Sequence, residues 1–451
     1  MKKIVFYSSN SKRRDKNSNC TVFPKWAEQW DDMAERHPDC EVTLVVQLNG
    51  RYFLDICNGE LIQKPKKVKL VTLPMEAKLP EFVEAVSALA PDIAVAMTGP
   101  VSGYDWNGIR DASIADALRR KGIDTICYPV ETALDCFDKW RSHQVFVRHG
   151  FQTPHSLYIH HELFCSDKQS KTCTGNVYQE YILYEIQKST MPVVIKSTTG
   201  SSSMGIYVAK NYEDAKKYLM SDQFMEDVIV QEFLDGDEYS AEVHGARGRY
   251  FVSPIYQVFD ANGRGLKDPL GMTTLKYGPV MKAELHIEEI RRELLRMAEI
   301  MDFSGIMNID LIFVKGEWYI FEVNNRWSGV TSLTTASQGR LPYDVYMDEV
   351  VGTEADYNDM SKMSFACQFK MPKAEPAVMA GLAKEPSVQS IIQYEVRPAN
   401  KDPFWFNDVV IGGFPSVEKM TERFEQLSQK YPEQVLPKLV KALQETVNKE
   451  R

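Results

Sequence analysis

Residues 308–324 read Asn-Ile-Asp-Leu-Ile-Phe-Val-Lys-Gly-Glu-Trp-Tyr-Ile-Phe-Glu-Val-Asn, a stretch with few ways to fold. Two runs of β-branched and aromatic residues flank a glycine, which predicts a hairpin. With Lys315, Gly316 and Glu317 as a three-residue loop, Asp310 lies opposite Glu322. One face then carries Ile309, Leu311, Phe313, Tyr319, Phe321 and Val323, and the other carries Asn308, Asp310, Glu322 and Asn324. A two-residue loop would set Asp310 against Phe321 and mix the faces, which strand alternation penalises. The expected register gathers two carboxylates and an amide on one surface. Carboxylates directly across a hairpin repel unless something neutralises them. Hard oxygen donors grouped this way suit Mg²⁺, or the similar Mn²⁺. Asp310, Glu322 and Asn324 are therefore candidate metal ligands. A solvated strand face would account for scattered Lys, Thr and Glu. It accounts poorly for Asp, Glu, Asn and Arg326 converging at the strand ends.

The 451 residues are too many for one hydrophobic core, so two to four domains are expected. The net charge of −9 argues against a nucleic-acid binder. No apolar run reaches the roughly 18 residues of a membrane span. The chain enters a strand pattern at once, without a signal-peptide segment. Eight cysteines occur with no Cys-x-x-Cys spacing, and they read as reduced thiols. A cytoplasmic protein is expected.

Residues 1–130 alternate strand and helix. Strands are expected over 4–7, 42–46, 93–97 and 123–127, and helices over 26–36, 81–89 and 114–120. A hairpin is expected to turn at Asn58-Gly59. This is the pattern of a doubly wound, mostly parallel sheet, with ligands beyond the carboxyl ends of its strands. Residues 132–149 read as one helix. Residues 162–179 read as an irregular insertion, 259–279 as a long covering loop and 287–301 as an amphipathic helix. From 352 onward the composition changes, with strands over 391–412 and a helix over 416–430.

Val193–Lys196 runs as a strand into Ser-Thr-Thr-Gly-Ser-Ser-Ser-Met-Gly and then into another strand. Small residues let backbone N–H groups approach phosphate oxygens, and the lysine adds a positive charge. The order is not that of a Walker loop, and a flexible turn is the plainer alternative. Downstream, the strand over 228–233 stops at an acidic turn and Glu238 follows. Backbone groups there could read an adenine edge, and a carboxylate could accept from ribose hydroxyls. Taken alone, this is a strand and a turn.

In combination these motifs resemble the ATP-grasp superfamily, from about Gly99 to about Gly339. Asp138-Lys139 followed by Gly150-Phe-Gln-Thr-Pro154 looks like that family's helix lysine and strand entry. The resemblance implies an α/β architecture: an N-terminal parallel-sheet domain (1–130), two α+β subdomains sandwiching ATP (131–235 and 236–350) and a C-terminal α+β extension (351–451). Lys139 and Lys196 would hold phosphates, and Thr199, Gly200, Ser201, Ser202, Ser203 and Gly205 would form the mobile phosphate loop. Gln231, Glu232, Phe233 and Leu234 would be the adenine hinge, and Glu238 the ribose carboxylate. Asp310, Glu322 and Asn324 fall where the family places its metal ligands. Arg326 matches the arginine of "Glu-x-Asn-x-Arg" members. Gly329, in Ser-Gly-Val-Thr-Ser, matches a backbone loop cradling the tetrahedral intermediate. Lys276-Tyr277 matches a Lys-Tyr pair. Asn308 stands where D-alanine–D-alanine ligases carry arginine.

D-alanine–D-alanine ligases and L-amino-acid ligases look nearest within the superfamily. The implied activity is an ATP-dependent ligase joining a small carboxylic acid, such as an amino acid, to an amine through an acyl phosphate. No nucleic-acid or membrane partner is implied, and a homodimer is compatible with the fold. A carboxylase-type or phosphoryl-transfer enzyme, or a non-catalytic ATP-binding module, would share the motifs.

Overall fold

The computed structural model describes residues 1–9, 20–47, 53–57, 60–99, 106–166, 175–200, 206–261, 273–352, 362–372, 374–396 and 404–448. The fold is mixed α/β, with three principal sheets. The first has five parallel strands in the order Lys69–Leu73, Cys40–Gln47, Lys2–Ser8, Ile93–Ala96 and Asp124–Ile126. Ile4, Val5, Phe6 and Tyr7 are all buried. Helices cover both faces of such a sheet, so its central strand is apolar throughout. The strand Lys69–Leu73 was not anticipated. It lies at an edge, and its residues are exposed or half-buried, with Lys69 and Thr72 interrupting any apolar run. The chain order reverses on either side of Lys2–Ser8, which places a crevice at the carboxyl ends of Lys2–Ser8 and Ile93–Ala96.

The second sheet is antiparallel, in the order Ile206–Ala209, Val193–Ser197, Val228–Glu232 and Ser156–Ile159. The third has ten strands. Its path runs Glu317–Asn324, Gly305–Val314, Asp237–Ala246, Tyr256–Asp260, Thr274–Gly278, Phe365–Pro372, Phe404–Phe414, Val388–Val396 and Cys20–Phe23. Arg249–Val252 pairs beside that path with Asp237–Ala246. Three strands from the region after 352 thus continue the sheet that holds the 308–324 hairpin. Met420 and Phe424 of helix Val417–Lys430 are buried against it, with the Phe424 ring 4.9 Å from that of Phe369.

The single helix expected over 132–149 is two, Val130–Phe137 and Lys139–Arg148. Asp138 breaks it. Its backbone is extended, and its carboxylate accepts from the N–H groups of Trp140 (2.8 Å) and Arg141 (3.3 Å). This is a helix N-cap, which periodicity alone does not separate from a helix interior. Lys139 therefore opens a new helix. Asn58-Gly59 and residues 262–272 lie outside the described residues. Among the described residues, no helix is long and apolar enough to cross a membrane.

A buried carboxyl closes the crevice end of the parallel sheet. Asp111 of helix Asn107–Arg120 accepts from the Ser9 N–H (3.0 Å) and from the Thr98 hydroxyl (3.0 Å). The Thr98 hydroxyl also pairs with that of Tyr128 (2.7 Å). Burial pushes the Asp111 carboxyl up to about 7, against the opposing pull of these hydrogen bonds and of Arg110. In an unfolded chain an aspartate titrates near ~3.9. Between those values the folded state binds more protons, so this group's contribution to stability falls as pH rises and levels off above about 7. Asp111→Asn cannot ionise. We expect the thermal midpoint of Asp111→Asn, relative to the parent, to climb from about pH 4 to about pH 7 and then stay level. A difference independent of pH would show that Asp111 is not held protonated.

Candidate active site

The 308–324 hairpin turns through two residues, not three. Lys315 (φ +52°) and Gly316 (φ +87°) are both left-handed, as a two-residue hairpin turn requires. From Val314 opposite Glu317 the ladder runs regularly to Leu311 opposite Ile320. It then steps to Asp310 opposite Glu322. Phe321 is the extra residue of a β-bulge. The bulge restores the expected pairing of the two carboxylates, and it changes which side chains reach the core. Ile320 is buried, and Trp318 packs on Phe313 and Tyr239, with both ring centroids 4.9 Å away. Trp318 and Ile320 take the places expected of Tyr319 and Phe321. The Phe321 ring instead turns toward Lys196, whose Nζ lies 4.9 Å from the ring centroid. This is a cation–π contact.

Around this hairpin the charges converge. Lys139 Nζ lies 3.5 Å from Glu322 Oε1 and donates to the Gly200 carbonyl. The Lys139 N–H is tied to the Thr198 carbonyl (2.8 Å), which locks the new helix to the end of Val193–Ser197. Lys196 is buried. Its pKa is lowered to about 8 chiefly by that burial, with repulsion from Lys139 adding, while Glu322, Glu238 and Asp310 act in the opposite sense. Asp310 accepts from the Ser240 hydroxyl (3.0 Å), which in turn accepts from Asn308 Nδ2 (2.8 Å). The Asn308 amide also approaches the Ala241 carbonyl (3.3 Å), so its N–H groups serve the sheet. Arg326 donates to Asn324 Oδ1 (3.3 Å) and to the Trp327 carbonyl (3.1 Å).

Among the described residues, no three His, Cys, Asp or Glu side chains form a metal cluster. The candidate set is two facing carboxylates and the oxygen of Asn324. That is a donor set suited to Mg²⁺, which binds through one or two carboxylates together with substrate phosphates.

At the proposed nucleotide edge, Gln231 is buried and its amide donates to the Ser156 hydroxyl (2.9 Å). Glu232 and Phe233 are exposed, and Leu234 and Glu238 are half-buried. The N–H groups of Thr199 and Gly200 donate to the Ser197 hydroxyl at 3.3 and 3.1 Å. Ser201, Ser202, Ser203 and Gly205 lie outside the described residues.

The loop after the hairpin is anchored from below. Glu242 is fully buried, and its Oε1 accepts from the hydroxyls of Ser328 (2.8 Å) and Thr331 (2.5 Å). Its Oε2 pairs with His244 Nε2 (2.8 Å). The Trp327 N–H reaches the Thr98 carbonyl (3.2 Å) at the crevice of the parallel sheet. Gly329 is exposed, and a Cβ there would sit 3.0 Å from Lys276 Nζ. Sequence reasoning missed Ser240, Glu242 and Phe321. The first two had a signal: Glu238, Ser240 and Glu242 alternate with Tyr239, Ala241 and Val243, which marks one polar strand face. Phe321 had none, because a bulge is not written in alternation.

Residues 136–330 match the family model of the ATP-grasp domain. They form an ATP-grasp domain. Its relatives include a carbamoyl-phosphate synthase of Methanobrevibacter smithii, 32% identical over 34% of this chain and 40% of that protein. The chain thus spans less than half the length of that relative. A D-alanine–D-alanine ligase of Petrotoga mobilis is 24% identical over 53% of this chain and 74% of its own length. In fold, the chain is similar to the L-amino acid ligase of Bacillus licheniformis, with a TM-score of 0.62 and 15% identity. That likeness covers 95% of this chain and 97% of the other. The ATP-grasp domain is therefore joined to further strands and helices in an arrangement already known for the fold.

Removing Phe321 gives a direct test of the bulge. Without it, the ladder runs unbroken from Leu311–Ile320 to Asp310–Glu322, and every other side chain keeps its face. We expect the deletion variant to stay folded, with a midpoint within roughly 4 °C of the parent, equivalent to about 1 kcal/mol. Deleting Ile320 removes a paired core residue and should unfold the hairpin. Equal damage from both deletions would contradict the bulge.

Proposed function

We propose that the chain is an ATP-dependent carboxylate–amine ligase working through an acyl phosphate. The observation that carries this reading is the convergence of Lys139, Lys196, Asp310 and Glu322 at one end of a loop whose backbone is fixed by Glu242. In the first step a substrate carboxylate oxygen attacks the γ-phosphorus of ATP. The bond to the β–γ bridging oxygen breaks, giving ADP and the acyl phosphate. In the second, an amine attacks the acyl carbon, the bond to the phosphate oxygen breaks, and inorganic phosphate leaves as the amine loses a proton.

Phosphoryl transfer is catalysed mainly by positioning and charge neutralisation. Lys139 and Lys196 would hold phosphate oxygens, and Arg326 would face the transferred group. Asp310, Glu322 and Asn324 would hold Mg²⁺, which neutralises phosphate charge when bound. Backbone N–H groups about Gly329 would receive the oxyanion of the second step. Removing one such donor costs roughly 100- to 1000-fold in rate in acyl-transfer enzymes. Glu232, Phe233 and Leu234 would read adenine, and Glu238 the ribose hydroxyls. The segments 1–130, 131–235, 236–350 and 351–451 would act as functional units around this centre.

The test is phosphate release from Mg·ATP by the purified chain, across pools of amino acids, other small acids and amines, with mass spectrometry of the products. Release that needs two substrates, with a condensation product of matching mass, supports the ligase. Release driven by bicarbonate alone would replace it with a carboxylase-type reaction. Nucleotide binding without stimulated turnover would leave a binding module. We further expect Glu322→Ala to stay folded and lose turnover. Lys196→Ala should weaken nucleotide binding about tenfold or more, as loss of a charge-assisted hydrogen bond implies. An active Glu322→Ala protein would remove the metal assignment.

A further inference from the structure

Glu242 lies beneath the Gly329 loop, fully out of solvent. It stands on the strand Asp237–Ala246 opposite Asn308, and Ser240 of the same strand stands opposite Asp310. Two steps along a strand cover roughly 7 Å, so the anchor of the loop is set beside the candidate metal carboxylates. Three donors meet on the Glu242 carboxylate. The hydroxyls of Ser328 and Thr331 both donate to Oε1, and His244 Nε2 pairs with Oε2. The His244 ring is buried as well, and its Nδ1 has no partner among the described residues. A proton on Nδ1 would be a buried donor without an acceptor, so the ring is neutral with its proton on Nε2. Glu242 is thus an acceptor at both oxygens.

Those bonds decide where the remaining lone pairs point. A hydroxyl has one proton to give, and Ser328 and Thr331 each give it to Glu242. Their oxygens are left to accept. The Ser328 oxygen takes the Val330 N–H at 3.0 Å, and the Thr331 oxygen takes the Ser328 N–H at 2.9 Å. The Thr331 N–H goes to the Ser328 carbonyl (3.3 Å) and the Trp327 N–H to the Thr98 carbonyl (3.2 Å). Of the amides from 327 to 331, that of Gly329 alone has no acceptor among the described residues, and Gly329 is also the exposed residue of the loop. A leucine at 242 would fill a similar volume. It could not take the two hydroxyl protons. The hydroxyls would turn to other acceptors, and the lone pairs that hold the amides would turn with them.

We infer that Glu242 is a positioning residue for acyl transfer: by taking both hydroxyl protons it ties back the neighbouring amides and leaves the Gly329 N–H as the free donor of the loop. The inference rests on the ligase reading above for what that donor serves, the oxygen that gains charge when the amine attacks the acyl phosphate. A donor held in place before the charge develops needs no reorganisation as it appears. Glu242 acts through the loop and not on the nucleotide. Its loss should therefore slow the chemical step and leave the affinity for ATP alone.

The test compares Glu242→Gln, Glu242→Leu and Thr331→Val in the full chain. Glutamine keeps an oxygen for the two hydroxyls, and its N–H can meet His244 Nε2 once that ring moves its proton to Nδ1. Leucine keeps only the bulk. With Mg·ATP and the substrate pair found in the pooled assay, Glu242→Leu should lower kcat about 100-fold, the loss of one oxyanion donor, with the KM for ATP unchanged. Glu242→Gln should recover most of it. Hydrogen exchange read by mass spectrometry over residues 325–333 needs no substrate. The amides of Ser328 and Val330 should exchange about tenfold faster in Glu242→Leu than in the parent, and at close to the parent rate in Glu242→Gln. Thr331→Val frees the Ser328 amide only; it should show a smaller change of the same kind, and it serves if Glu242→Leu does not fold. Equal losses in the glutamine and leucine variants, a raised KM for ATP in place of a lowered kcat, or unchanged exchange overturns the inference. Exchange that follows the acceptor at 242, without two-substrate turnover in any pool, would keep the hold of Glu242 on the loop and dismiss the ligase. Two-substrate turnover at the parent rate in Glu242→Leu would do the reverse.

Discussion

Lys196 is an ammonium placed where water hardly reaches, and the site is built around that cost. Charges are taken out of water only when partners replace the lost hydration. Here the replacements come from two separate stretches of chain: Asp310, Glu322 and the Phe321 ring from the hairpin, and Glu238 from the neighbouring strand. Lys139 works against it, and is itself drawn to Glu322 at 3.5 Å. Two cations and two facing carboxylates within one small volume are each unfavourable as like pairs. They are tolerable as an alternating set. The set is also incomplete in a useful way, because phosphate oxygens would relieve the lysines and a divalent cation would relieve the carboxylates.

The second sheet and the third sheet must be held together for this set to exist. Helix Lys139–Arg148 makes that connection, since Lys139 bonds backward to Thr198 and Gly200 and forward to Glu322. The Asp138 cap starts the helix there, so the geometry of the lysine depends on a break that periodicity reads as continuous helix. A second connection runs through Trp327, whose N–H reaches Thr98 at the crevice of the parallel sheet. Its ring packs within 5.1 Å of Phe53 and 6.3 Å of Trp26. The loop that carries Gly329 is thereby fixed at both ends, by aromatic packing at Trp327 and by the buried Glu242 carboxylate at Ser328 and Thr331.

Much of this was legible in residue order. Strand–helix alternation announced the parallel sheet, and the polar face of the hairpin announced the pairing of Asp310 with Glu322. The turn was misjudged because one register has two solutions, a longer loop or a shorter loop with a bulge. Alternation counts residues, and both solutions add one. Only the left-handed backbone at Lys315 decides between them, and lysine carries no preference for it. The C-terminal strands were legible as strands, but their destination was not. Pairing between Thr274–Gly278 and Phe365–Pro372 joins segments separated by three α-helices and the whole Asp310–Glu322 hairpin. Nothing local in either segment specifies that contact.

That destination decides which residues share a surface with the hairpin. Residues paired across neighbouring strands project from the same face of a sheet. The register sets Glu238 beside Val258, Val258 beside Lys276, Lys276 beside Gln368, and Gln368 beside Val410. Asp408 lies two residues from Val410, and so on the same face. The Glu238 and Lys276 positions and Asp408 are therefore on one face of the sheet. Four strand spacings, roughly 19 Å, separate the strand of Glu238 from that of Asp408. The Gly329 loop lies over the interval. A sheet that fixes one end by its hairpin fixes the other by its register. The hairpin and the last three strands are thus built into one continuous ladder, so a shift of register in either would be felt in the other.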